Sequence, residues 1–244
     1  MRPAPRSFSP LGGLLLSAAC ILFSGCSRIP GHPGPGPEVV RPEQILDFAT
    51  LYKQNCAACH GEKGRNGASI SLGNPVYLSI AGVHNIQQTI AKGVPGKLMP
   101  PFAKDSGGML TAKQVSIIAH GLLQQGDNSN ALAGQTPPPY KATLPGDAVR
   151  GEHAYTTFCA RCHGATGEGG PEDPKGSGKL GSIVDPSYLA LISDQYLRSI
   201  IIAGRHDQGM PDWRSDGAQP LTDQQITDIV SWITSKRVAD PGQP

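Results

Sequence analysis

The 244-residue chain has few aromatics: two tryptophans, six tyrosines and five phenylalanines. It has no large excess of either charge, and no long apolar run beyond its first 25 residues. Each shortage excludes something. With few aromatics and with 31 glycines and 23 prolines, much of the chain must be loop, and something other than side chains must help fill its cores. A bilayer-spanning helix needs about 20 consecutive apolar residues, and no segment after the leader supplies them. No stretch alternates apolar and polar residues convincingly, so a sheet protein is not expected. A formal charge of +2 falls to zero once Arg2 and Arg6 are removed with the leader, and no nucleic-acid partner is expected.

The first 25 residues read as an export signal. Arg2 and Arg6 give a positive start, residues 11–23 are almost wholly apolar, and Ser24-Gly25 precede Cys26. Leu22-Phe23-Ser24-Gly25-Cys26 resembles a bacterial lipobox, which implies cleavage before Cys26 and its acylation. Plain cleavage nearby would instead release a soluble protein. Residues 26–42, rich in Pro and Gly, cannot form helix or sheet and read as a lipidated tether. Extended, about 15 such residues would reach roughly 45 Å.

The remainder of the chain is a duplication. Tyr52, Cys56, Cys59, His60 and Gly61 recur 103 residues later as Tyr155, Cys159, Cys162, His163 and Gly164. Further on the offset is 111: Asn74-Pro75 answers Asp185-Pro186, Gly93 answers Gly204, and Met99-Pro100 answers Met210-Pro211. One insertion between His163 and Asp185, where Gly169–Pro174 has loop composition, reconciles the two registers. The copies fall at 43–126 and 147–238, joined by a Pro-rich linker at 127–146 and followed by a tail at 239–244. Their charges differ. Residues 41–126 hold eight basic and four acidic residues, whereas 147–240 hold nine and thirteen.

Each copy predicts helix, Cys-x-x-Cys-His, loop, helix, Met loop, helix. Val115, Ile118, Ala119 and Leu122 form one apolar helical face, as do Ile226, Ile229, Val230 and Ile233. Thr111-x-x-Gln114 and Thr222-x-x-Gln225 are capping-box patterns at the starts of these helices. Apolar residues also favour helices at 85–92 and 194–203.

Cys-x-x-Cys-His sets two thiols within a helical turn, where they can add to both vinyl groups of one haem, with the adjoining His beneath the iron. The pattern marks c-type haem attachment. A four-cysteine zinc site would have to unite pairs 103 residues apart and would leave both histidines unexplained. A redox thiol pair would want a βαβ setting. Once Cys20 leaves with the signal and Cys26 takes lipid, no cysteine remains for a disulfide. The candidate cofactors are therefore two covalent haem c groups, held by Cys56, Cys59 and His60 and by Cys159, Cys162 and His163.

Two consecutive units with Cys-x-x-Cys-His, a later Met-Pro and a closing amphipathic helix resemble dihaem class I c-type cytochromes. Cytochrome c4 and the dihaem subunit of cbb3-type oxidases are similar. The resemblance implies an all-α fold of two tandem cytochrome c domains. It implies iron ligated by His60 and Met99 in the first and by His163 and Met210 in the second. The implied function is single-electron transfer rather than enzymatic turnover, at the periplasmic face of a membrane. The partners would be a quinol-oxidising complex, an oxidase or a dehydrogenase. An alternative is a haem subunit docked permanently to such a complex; a dihaem peroxidase would require one half to lose its Met. His84, His120 and His206 have no matching His in the other half, His153 precedes its string and points elsewhere if 148–158 is helical, and His32 lies in the spacer; all five read as surface or polar residues. Trp213 and Trp232, near the second site, have no tryptophan counterparts in the first half, so the two sites should differ in exposure and potential.

A unit of this size buries little surface by itself. Protein made without haem-attachment machinery should therefore look disordered by circular dichroism, and a cooperative fold in that apo-protein would contradict this expectation.

Overall fold

Nine helices lie in chain order among the described residues. They are α1 (Phe48–Asn55), α2 (Ala57–His60), α3 (Pro75–Lys92), α4 (Ala112–Gln125), α5 (Ala148–Phe158), α6 (Ala160–His163), α7 (Pro186–Leu191), α8 (Asp194–Ala203) and α9 (Asp223–Thr234). The computed structural model describes residues 36, 39–125, 130–170, 180–214 and 219–239. Residues 42–244 form one compact unit. Of the separate unit 1–41, only Gly36 and residues 39–41 are described, all exposed and outside any helix. The export signal and Cys26 lie outside the described residues. Among the described residues there is no strand, only isolated bridges at Ala103–Leu110 and Arg205–Met210. No described helix is long and apolar enough to cross a membrane.

The helix starts follow from local chemistry. Asp47 and Asp147 cap α1 and α5, accepting from the Thr50 and Arg150 backbone N–H at 2.8 Å. Asn74 and Asp185 cap α3 and α7, each followed by a proline at the first helical position, where no N–H is needed. Both expected capping boxes form, Thr111 with Gln114 and Thr222 with Gln225. The apolar faces of α4 and α9 are buried. Helix α3 begins ten residues ahead of the expected 85–92 because Asn74-Pro75 starts it.

One bend is made in two ways. Inside α3, Gly82 takes φ 64° and ψ 164°, a conformation essentially confined to glycine. The equivalent residue of the second half is Ser193, which ends the break between α7 and α8 by capping α8 through the Tyr196 N–H. A single kinked helix in one copy is thus two helices in the other.

The first and last helices of each half cross: α1 on α4, α5 on α9. Helix α4 gives way at Gly121, where an added Cβ would come within 2.1 Å of the Phe48 ring. In the second half the sizes are exchanged. Phe48 becomes Gly151 and Gly121 becomes Trp232, and a Cβ on Gly151 would lie 2.0 Å from the Asp228 carbonyl oxygen and 2.8 Å from the Trp232 Cβ. Trp232 fills that space and stacks on Tyr155, with ring centroids 4.2 Å apart. Large against small is kept, on opposite partners.

The halves also touch each other, α3 against α8. Asn74, 5% exposed, uses its oxygen to cap α3 and donates its amide N–H to Ala203 O (2.9 Å) and Gly204 O (3.1 Å) at the end of α8. Lys97 Nζ donates to Ala190 O at 2.7 Å. The Pro-rich linker is strapped down. Arg198, 3% exposed, donates to Pro139 O and Tyr140 O and pairs with Asp223, while Gln195 donates to Tyr140 O at 2.8 Å.

Gly151→Ala should destabilise the holo-protein by about 1–3 kcal/mol, the usual cost of overpacking. Its thermal midpoint should fall, and an unchanged midpoint would disprove the tight crossing. Asp228 is buried and accepts from the Asp147 backbone N–H (2.7 Å), Arg150 Nε (2.9 Å) and Gln224 Nε2 (2.9 Å). Burial works to raise its pKa, but these donors outweigh it and hold the carboxyl below its ordinary value. The stability gained is therefore present above the ordinary carboxylate range and is lost as pH falls through the depressed value. Asp228→Asn should cost about 1–3 kcal/mol at neutral pH, and the gap from wild type should close in acid. A gap independent of pH would refute this.

Candidate haem sites

Each candidate site begins where the first helix of its half stops. Cys56 closes α1 by donating its N–H to Tyr52 O (2.8 Å), and the one-turn α2 then carries Ala57 to His60. Cys159 does the same through Tyr155 O (2.8 Å), ahead of α6. Each tyrosine folds back to donate its hydroxyl to the glycine carbonyl after the histidine, Tyr52 to Gly61 O and Tyr155 to Gly164 O. Gly61 and Gly164 have φ of 78° and 81°, so the chain reverses directly behind each histidine.

The glycines at 61, 64 and 67 match those at 164, 167 and 170, so the first register persists to residue 170. A Cβ on Gly67 would lie 2.4 Å from the His60 carbonyl carbon, and one on Gly170 would lie 2.1 Å from Cys162 O. The loop backbone is therefore packed against the Cys-x-x-Cys-His turn in both halves.

His60 is 7% exposed, and its Nδ1 faces Ile70 O at 2.8 Å. That carbonyl accepts, so the proton sits on Nδ1 and the Nε2 lone pair is free for a metal. Burial lowers the His60 pKa; the Ile70 carbonyl raises it and the Arg205 charge lowers it. His163 is half-buried and lowered by burial, and its Nδ1 finds no partner among the described residues.

Cys56 is buried and Cys159 half-buried; Cys59 and Cys162 are exposed, and none of the four forms a disulfide. Burial first, then the neighbouring thiol, pushes Cys56 up to about 11 and Cys159 up to about 12. A thiol-exchange pair needs a depressed value, so this environment opposes that alternative. The two thiols, the neutral imidazole and the Met loop fit a covalently attached haem.

Met99 and Met210 occupy equivalent turns. Val94 N–H donates to Met99 O (2.9 Å), and Arg205 N–H donates to Met210 O (3.0 Å). Gly93 and Gly204, at φ 64° and 69°, end α3 and α8 and let the chain after each Met-Pro pass close. A Cβ there would meet Pro100 C at 2.5 Å or Pro211 C at 2.6 Å. Phe102 N–H then returns to Ile90 O and Trp213 N–H to Ile202 O, both at 3.0 Å, tying each Met loop to the preceding helix. Met99 and Met210 are both half-buried, and Met99 packs against the core.

His84, His120 and His153 are exposed, and His206 lies 3.7 Å from Asp212; His32 falls outside the described residues. Trp213, 2% exposed, lies under the Arg214 guanidinium at 4.7 Å. Sequence reasoning alone misses Arg205 and Asn74. Arg205 is detectable in principle, since its counterpart in the other copy is Val94. Asn74 enters the sequence reading only as the counterpart of Asp185, and its bonds to the other half leave no signal there.

The family model for cytochrome C oxidase, cbb3-type, subunit III, matches residues 43–120 and again 146–233. A cbb3-type cytochrome c oxidase subunit CcoP of Azospirillum sp. (strain B510) is 30% identical over 54% of this chain and 45% of its own length. Subunit FixPc of Rhizobium leguminosarum bv. viciae is 26% identical over 84% and 65%. Subunit FixP of Sinorhizobium medicae (strain WSM419) is 30% identical over 72% and 58%. The chain thus spans about half to two thirds of these relatives. A solved chain of the Kuenenia stuttgartiensis reducing HAO-like protein complex Kustc0457/Kustc0458 aligns over 83% of this chain and 99% of its own at 20% identity and TM-score 0.42. The double match and the paired helical halves show that the chain belongs to the cbb3-type cytochrome c oxidase subunit III family, built as two tandem all-α cytochrome c domains.

Proposed function

We propose that this protein carries electrons one at a time through two covalently attached haem c groups. Cys56, Cys59 and Cys159, Cys162 form the thioether links; His60 with Met99, and His163 with Met210, hold the two irons. The observation that carries the proposal is the repeated frame: a histidine on a one-turn helix, backed by a glycine loop, with a methionine turn tied to a later helix. When bound, haem c would supply a reversible one-electron couple, and ligation by a methionine thioether together with a histidine would favour the ferrous state. The chain's own part is to hold the His60 imidazole in one tautomer, through Ile70 O, and to keep ligand positions constant. Tight backbone packing at Gly67, Gly93, Gly170 and Gly204 leaves little room for rearrangement.

The electrons would pass between exported redox partners: a quinol-oxidising complex, a dehydrogenase or a terminal oxidase. Cys26 would carry lipid and residues 26–42 would tether the folded part at the periplasmic face. A second reading, a haem subunit docked within an oxidase, is favoured by relatives that are named as oxidase subunits. A peroxidase-type enzyme needs an open iron, and equivalent methionine turns in both halves speak against one.

The mature holo-protein should carry the added mass of two haems and show two low-spin haems with the weak near-infrared band of Met–Fe(III). Met99→Ala should make one haem high-spin and able to bind cyanide, leaving the other unchanged. Absence of the added mass, or a Met99→Ala spectrum identical to wild type, would overturn the assignment.

A further inference from the structure

The two methionine turns share a backbone bond, from the residue 94 or 205 N–H to the methionine carbonyl, but not the side chain at that position. Val94 suffices in the first. In the second, Arg205 pairs its N–H and C=O with those of Met210, both at 3.0 Å. The turn therefore does not need an arginine. Yet Arg205 is only 7% exposed, and burying a guanidinium is costly unless it is paired and hydrogen-bonded. Its partners are Asp207, to which it donates through Nε (3.3 Å) and Nη2 (3.4 Å), and, across the seam, Gly67 O (3.0 Å). Asp207 in turn accepts from the Asn66 backbone N–H at 3.0 Å. Position 207 corresponds to Gly96 in the first half, so neither member of the pair has an equivalent there.

The loop they grip lies directly behind His60. Asn66 is left-handed at φ 59°, unusual for a residue with a side chain. Its counterpart Gly169 is also left-handed, but sends its N–H to His163 O at 3.0 Å within its own half. The first half instead gives that N–H to Asp207 of the second.

We infer that Arg205, paired with Asp207, is a positioning residue shared by both redox sites: its main chain sets the Met210 turn while its guanidinium fixes the loop behind His60. This rests on the reading of His60 and Met210 as haem ligands. A buried cation opposes ferric iron, so Arg205 raises the potential of both sites, and Asp207 pulls the other way.

The test is a spectroelectrochemical titration of holo-protein, with intact mass giving the haem count. Arg205→Gln, leaving Asp207 unpaired, should lower both midpoints. The reduced-to-oxidised ratio at fixed potential should fall about threefold or more at each haem, ~28 mV at ~59 mV per tenfold. Arg205→Lys, which keeps charge but not the fork, should restore most of the shift, and Asp207→Asn should move both midpoints upward. If Arg205→Gln fails to assemble, Asp207→Asn carries the test. A shift confined to one haem, or none at all, with both haems present overturns the inference. Wild-type protein without two haems would instead sink the reading of the chain as a dihaem carrier, and the mass reports that separately.

Discussion

The crossing of first and last helices in each half is the constraint on which the candidate sites depend. The Cys-x-x-Cys-His turn starts at the residue that closes α1 or α5, so the angle of that helix against α4 or α9 fixes where the histidine stands. Phe48 over Gly121 and Trp232 over Gly151 fill the same crossing from opposite sides. At this crossing the two copies differ in residue but keep large against small, as close packing requires. The histidine environments depend on the same helices. Tyr52 and Tyr155, one helical turn before the cysteines that end them, each anchor the glycine after the histidine.

Much of this was legible in residue order. Periodicity marked α4 and α9, threonine and glutamine marked their starts, and recurrence at offsets of 103 and 111 marked the duplication. These signals are local or self-referential, and local physics decides them. Helix α3 was legible only in its second part, because Gly82 interrupts the apolar pattern; only Ser193 as its counterpart explains the bend as shared. The contact between halves was not legible. Its hydrogen bonds are made by Asn74, Lys97, Arg205 and Asp207 with backbone carbonyl and amide groups, and a backbone partner leaves no residue type to pair in sequence.

These hydrogen bonds have consequences. An apolar seam tolerates sliding, because hydrophobic contact is not directional. Buried hydrogen bonds with donors at 2.7 to 3.1 Å do not, since a small displacement leaves buried groups unsatisfied at about 1–3 kcal/mol each. The linker adds a second restraint, with Arg198 holding Pro139 O and Tyr140 O while pairing with Asp223. Hydrogen bonds of this kind fix the register of one half against the other.

The opposed charges of the halves gain meaning from the same geometry. The ion pairs described, such as Lys104–Glu43 in the first half and Arg150–Asp228 and Arg198–Asp223 in the second, join residues of one half. Lys97 crosses the seam to a carbonyl and Asp207 to an amide, so neither crosses to an opposite charge. Among the described ion pairs, then, none joins the basic 41–126 to the acidic 147–240.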